Sequence, residues 1–168
     1  MPLTALYEPA YALEQLAALV VASPAFVARC SDGLPALHVT HPYLRDSLQD
    51  LRPFAVFRLP DGNACRFVKA ASGAVNQFTI HGQTILQLGD EIADASAVSA
   101  RDEHIDFLNF AGGVVSYLLS QAGLSDNCNI TGIEYTIPPS YTTATEIAGR
   151  AVTVPTYVCE LLISWGTY

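Results

Sequence analysis

The residues able to do chemistry fall in a few short runs. His38-Val39-Thr40-His41 holds two imidazoles close enough to share a metal ion, but no third, acidic ligand is spaced to complete a zinc site. Two solvent-exposed histidines on a loop are the simpler reading. Asp102, Glu103, His104 and Asp106 bring acids and an imidazole together, the ingredients of general acid–base catalysis. Ser99-Ala100-Arg101-Asp102 has the spacing of a capping box, however, and acids in a first helical turn complement the macrodipole, so helix capping accounts for the cluster. Asp90, Glu91 and Asp94 lack the glycine and terminal glutamate of an EF-hand loop and read as a solvated acidic connection. No metal or cofactor is expected at any of these positions.

The usual signatures of catalysis are missing from the sequence: there is no G-x-S-x-G elbow, no phosphate-binding P-loop and no G-x-G-x-x-G turn. The expectation is a protein that is not an enzyme. Cys30, Cys65, Cys128 and Cys159 are far apart with no C-x-x-C pair, so they read as free thiols, most of them small buried hydrophobes. The formal charge is −8, with Lys69 the only lysine, a balance that repels phosphate and argues against binding nucleic acid through a basic surface. Tyr135, Tyr157 and Trp165 lie among isoleucines and leucines and read as core before they read as a stacking platform for bases. The first residues carry acids and no basic residue before Arg29, unlike a secretory signal, and the apolar run at 16–22 is too short to span a bilayer. A soluble protein made in a reducing compartment is expected.

These residues must be held by elements whose periods are readable. The alternation Tyr157, Cys159, Leu161, Ile163, Trp165 predicts a central strand, with Glu160 and Ser164 on its other face. Residues 9–23 predict an amphipathic helix on Leu13, Leu16, Ala17 and Val20, stopped by Ser23-Pro24. Leu44, Leu48 and Leu51 allow one or two further helical turns. Residues 54–59 and 64–70, joined by Pro60-Asp61-Gly62-Asn63, predict a hairpin. A second β region at 77–88 is interrupted at His81-Gly82, by either a turn or a bulge.

The strongest helix follows Ser99. Ile105, Leu108, Gly112, Val115 and Leu119 make its stripe, widened by Phe107, Val114, Tyr117 and Leu118, and Gly112-Gly113 predict close approach to the sheet, so that Gly112→Leu would overpack. Asn129 to Ile137 predicts a strand with Thr131, Ile133, Tyr135 and Ile137 on one face, ended by Pro138-Pro139. Beyond it lies a long polar connection. Its Tyr141, Thr142, Thr143, Thr145 and Arg150 form one candidate interface loop, expected to project and to be ordered by a neighbour; Asp90, Glu91 and Asp94 form another. The whole chain, 1–168, reads as one α+β domain: a mostly antiparallel sheet packed against one long helix, with an additional N-terminal helix.

The order of elements, the helix around Leu13 to Ala22, the Arg52-Pro53-Phe54-Ala55-Val56 run, the Asp106-Phe107-Leu108-Asn109 start of the long helix and the Val158 to Trp165-Gly166 ending resemble the tail-terminator family of long-tailed bacteriophages and their prophage relatives. The resemblance implies a structural virion protein, made in the bacterial host cytoplasm, that forms a homo-oligomeric ring, a hexamer, capping the head-proximal end of the tail tube. Its partners would be further copies of itself, the tail tube protein and a neck or head-completion protein. DNA would pass through the ring without specific binding, which an acidic, lysine-poor chain suits, and no membrane is involved. Other readings are a neck connector or minor tail protein, or a small enzyme or ligand-binding domain.

Overall fold

The computed structural model describes residues 9–40, 52–61, 65–69, 78–91, 97–121, 123–124, 128–142, 145–147, 150–152 and 156–167. In chain order the elements are α1 (Pro9–Ala22), α2 (Pro24–Val27), a 3-10 turn (Pro35–His38), β1 (Val39–Thr40), β2 (Phe54–Arg58), β3 (Cys65–Lys69), β4 (Phe78–Glu91), α3 (Ala97–Ser120), β5 (Cys128–Thr142), β6 (Thr145–Ile147), β7 (Arg150–Val152) and β8 (Thr156–Thr167). The main sheet runs β1-β2-β4-β8-β5, with β3 also on β4, and every pairing in it is antiparallel except β1 with β2. Helices pack on one face, so the fold is α+β, a mostly antiparallel sheet against the long helix α3 with α1 beside it.

The final strand is the interior strand its alternation predicts. It lies between β4 and β5, and Tyr157, Cys159, Leu161, Ile163 and Trp165 are all buried in the helix-side core. Ala55, Phe57, Leu86 and Leu88 from β2 and β4 complete the sheet's share of that core; Ala12, Leu16 and Val20 from α1 and Phe107, Phe110, Ala111, Val114 and Leu118 from α3 close it. Alternation sends Phe54, Val56, Ile85 and Val158 to the opposite face, where they too are buried.

Several expectations are corrected. Residues 54–59 and 64–70 do not form a hairpin with one another: β2 pairs with the C-terminal half of β4 (Phe54↔Gly89 to Arg58↔Ile85) and β3 with its N-terminal half (Cys65↔Gly82 to Lys69↔Phe78). Both therefore run the same way along one edge of a longer strand. His81-Gly82 is neither a turn nor a bulge, since β4 keeps continuous register with β8 from His81↔Gly166 to Glu91↔Thr156. Gly82 is there to make room: a Cβ would stand 2.1 Å from Cζ2 of Trp165. The indole so seated donates from Nε1 to Thr84 Oγ1 at 3.1 Å, which satisfies its one polar atom inside the core.

Pro138-Pro139 does not end β5, which continues to Thr142. Among the described residues β5 pairs only with β8, and a strand with a free edge tolerates prolines because the missing donors can face away from the ladder. Register shifts at Ile130/Gly132, Tyr135/Ile137 and Ile137/Ser140 also break the single face expected for Thr131, Ile133, Tyr135 and Ile137. The described part of the long connection is likewise β structure: Thr145 pairs with Val152 and Ile147 with Arg150 in a two-stranded unit. Helix α3 begins at Ala97, so Ser99 lies inside it and cannot be the cap of a capping box. The helical turns expected around Leu44 to Leu51 fall outside the described residues.

Candidate interaction surface

The chemistry-bearing residues are mostly braces. His38 is buried, not a solvent-exposed loop histidine: Nδ1 donates to the carbonyl oxygen of Pro53 at 2.6 Å and Nε2 meets Asp32 Oδ2 at 3.0 Å. The ring ties the 3-10 turn to the start of β2 and to the turn at Asp32. The backbone N–H of Leu34, and then His38, hold the Asp32 carboxyl below its ordinary range. His41 lies outside the described residues, and among those described no group of three or more His, Cys, Asp or Glu is placed to hold a metal ion.

The acid–imidazole cluster of α3 does not converge. At 100° per residue His104 and Asp106 point to different sides of the helix. His104 stacks on Tyr157, with ring centroids 5.4 Å apart, and its Nε2 lies 3.3 Å from the carbonyl oxygen of Pro139. Asp106 instead takes the guanidinium of Arg29, whose Nη1 also donates to Asp90 Oδ2 at 2.9 Å and whose carbon sits 5.4 Å from the centre of the Phe110 ring. This clamp fastens the residues after α2 to α3 and to the end of β4. Burial is the largest influence on Asp90 and pushes its carboxyl up, outweighing the downward pull of Arg29. Asp90 is thus an internal ion-pair partner and not part of a solvated loop; Glu91 is exposed at the end of β4, and Asp94 lies outside the described residues.

On the opposite face of the sheet a second brace crosses β4. Arg58 Nη2 donates to Glu160 Oε2 at 2.8 Å, and Thr136 Oγ1 donates to Glu160 Oε1 at 2.9 Å. Both carboxylate oxygens are engaged. Sequence reading placed Glu160 on this face but missed Arg58, whose position in an apolar strand was the available signal. The cysteines are free, Cys30, Cys128 and Cys159 buried and Cys65 half-buried. Burial, the largest influence on each, pushes the Cys159 thiol up to about 12 and the Cys30 thiol up to about 11.

The structure gathers part of the two expected interface loops at one end of the sheet. Tyr141 pairs with Tyr157 and Thr142 with Thr156, while Tyr157 and Thr156 pair on their other side with Asp90 and Glu91. Thr145 and Arg150 lie in the small β6–β7 unit, and Thr143 is outside the described residues.

The exposed apolar side chains are elsewhere, and sequence reading misplaced them. Ile105 (45% exposed), Leu108 (43%) and Leu119 (54%) on α3 face away from the core, as does Gly112. Of the predicted core stripe, Ile105, Leu108, Gly112 and Leu119 therefore face outward, whereas Val115 packs partly buried against the core and the flanking Phe107, Val114 and Leu118 are buried in it. Tyr135, expected in the core, is exposed on β5, as is Ile137. A second exposed set, Val27, Leu34 and Leu37, lies on and after α2. No described helix is long and apolar enough to cross a membrane. Compared with known proteins, the sequence matches no family model and no curated protein.

Proposed function

We propose that this chain is a structural subunit without catalytic activity that assembles into a ring, in the manner of the tail terminators it resembles, capping the head-proximal end of a tail tube and joining it to the neck. A closed ring needs two different patches on each subunit. One observation carries the reading: exposed apolar side chains occur in two separate places besides α3, Val27, Leu34 and Leu37 on and after α2, and Tyr135 and Ile137 on β5. The net charge of −8 supports a passage through which DNA slides without adhering. The chemistry-bearing side chains support a structural role, because His38, Arg29, Asp90, Arg58 and Glu160 are spent on joining elements.

The test is the native mass of the purified protein together with negative-stain images, alone and mixed with tail tubes. Closed rings of one subunit number, seated at one end of the tubes, are expected. A chain that stays free of rings in both conditions overturns the proposal, and decoration along the tube wall would point to a minor tail component instead.

A further inference from the structure

The outward stripe of α3 has a spacing of its own. Arg101, Ile105, Leu108, Gly112, Val115 and Leu119 follow one another at intervals of four, three, four, three and four residues. That is the alternating spacing of a coiled-coil seam, narrower than the stripe a globular helix buries. The core is served by other positions, Phe107, Phe110, Ala111, Val114 and Leu118. Within the seam Val115 is partly buried against that core, while Arg101, Ile105, Leu108, Gly112 and Leu119 are exposed and surplus to it, and their spacing fits a helix better than a strand or a loop.

Gly112 sharpens the point. A glycine inside a helix is less favourable than alanine and calls for a reason. For Gly113 the reason is internal, because a Cβ there would stand 2.8 Å from the Cβ of Ala25 in α2. A Cβ on Gly112 would meet nothing within 4 Å among the described residues, so none of these asks for glycine at this position. Its place at the middle of the seam is where a glycine lets another backbone approach closely.

We propose that this seam docks α3 of a second copy of the chain, antiparallel and crossing at Gly112. The pattern is nearly symmetric about that residue, with Leu108 and Ile105 four and seven positions before it and Val115 and Leu119 three and seven after. A two-fold axis through Gly112 sets Ile105 against Leu119 of the second copy and Leu108 against its Val115. The patch is self-complementary, as an isologous contact requires. Among the described helices only α3 offers such a seam, since α1 exposes Glu14, Ala18 and Ala22 and α2 is a single turn.

Charge favours the same occupant. On a chain of −8, the seam from Ile105 to Leu119 and its outer neighbours Asn109 and Ser116 carry no charge, so two copies meet without repulsion there. In the antiparallel arrangement Arg101, one turn before Ile105, comes to the C-terminal end of the other helix, whose last carbonyls favour a cation. A seam of this length, roughly 27 Å by helical rise, buries less than the roughly 800 Å² per partner of a standard interface, so a weak, reversible contact is expected. It differs from the ring contact, which is heterologous, and does not depend on it.

Single cysteines test the arrangement in a Cys65→Ser background, the remaining thiols being buried. A two-fold crossing at Gly112 brings that residue against itself, within the 4.4–6.8 Å that roughly bounds the Cα separation of a disulfide. Gly112→Cys should therefore give a covalent dimer under mild oxidation at high protein concentration. Ile105→Cys alone should remain monomeric on a non-reducing gel, whereas a mixture of Ile105→Cys and Leu119→Cys should couple. Adding Leu108→Glu to the Gly112→Cys chain should abolish coupling while the far-ultraviolet circular dichroism spectrum stays native. A natively folded Gly112→Cys protein that does not couple overturns the proposal, as does Ile105→Cys coupling with itself. Rings in the microscope without Gly112 coupling would leave the ring and remove this contact; coupling without rings would do the reverse.

Discussion

The two sides of α3 are almost equally apolar in sequence and opposite in fate. One carries Phe107, Phe110, Ala111, Val114 and Leu118, all buried against the sheet and α2. The other carries Ile105, Leu108 and Leu119, each more than two-fifths exposed. What separates them is size and partners. Phe107 stacks on Tyr157 at 5.5 Å and Phe110 on Phe26 at 6.1 Å, so the large aromatics go to the side where aromatics already wait. A helix that is apolar on two sides is an interior helix unless one side is reserved for contact outside its own subunit.

The contrast is broken most directly by truncating one residue from each side. Phe107→Ala should cost about 3–5 kcal/mol by urea denaturation, through lost burial and the cavity left beside Tyr157. Ile105→Ala should stay within about 0.5 kcal/mol of the parent when the protein is dilute, as surface substitutions do. Equal costs would mean that the outward stripe is packed within the subunit.

A smaller effect belongs to the clamp that holds α2 against α3. Arg29→Ala removes a cation from two carboxylates and should cost about 1.5–3 kcal/mol near neutral pH. The pH dependence has a definite sign. Burial already raises the folded-state pKa of Asp90, so this carboxyl binds more proton in the native than in the unfolded chain across the window above pH 3.8, and its contribution to stability falls as pH rises through it. Removing Arg29 takes away the cation that most opposes the effect of burial on Asp90 and widens that window. The loss should therefore be largest at neutral pH and shrink on acidification through the carboxylate range; a loss that grew in acid would remove Asp90 from the account. Gly113→Leu, by overpacking against Ala25, should cost about 1–3 kcal/mol with no such pH dependence.

How far the sequence discloses this molecule depends on whether a signal is local. The alternation from Tyr157 to Trp165 locates an interior strand because its partners on both sides demand the same inward face. The predicted stripe of α1 is right at Leu16 and Val20, which are buried, while its Leu13 and Ala17 are only partly buried and the buried Ala12 was not in it; the long helix is unmistakable. Which side of it is buried is not, because two seams interleave and periodicity alone cannot say where the sheet lies. The turn residues Pro60-Asp61-Gly62-Asn63 signal a reversal between neighbours, whereas the partner that β2 and β3 share is β4, fixed by contacts distant in sequence. Pro138-Pro139 reads as a stop only if the strand is assumed to be paired on both edges. The braces were the least legible part: His38 with Pro53 and Arg58 with Glu160 join residues that no spacing rule connects.

The finest test uses neighbouring glycines, since Gly112 and Gly113 share a helix turn and differ only in what lies outside them. Because a Cβ on Gly112 meets none of the described residues, Gly112→Ala should stabilise the subunit by about 0.8–1 kcal/mol, the helix-propensity difference, seen as a higher urea midpoint with unchanged slope. Gly112→Leu should gain nearly as much, because leucine ranks close to alanine in helices and its side chain would extend into solvent instead of into the sheet. Both substitutions put side-chain atoms where a second α3 is proposed to cross, so they should loosen the contact between copies as they firm up each copy. The two readouts then move in opposite directions: a higher denaturation midpoint in dilute solution and a smaller dimer fraction by sedimentation. If Gly112→Leu instead lowered the midpoint as Gly113→Leu does, Gly112 would be packed inside the subunit and the two sides of α3 would no longer differ.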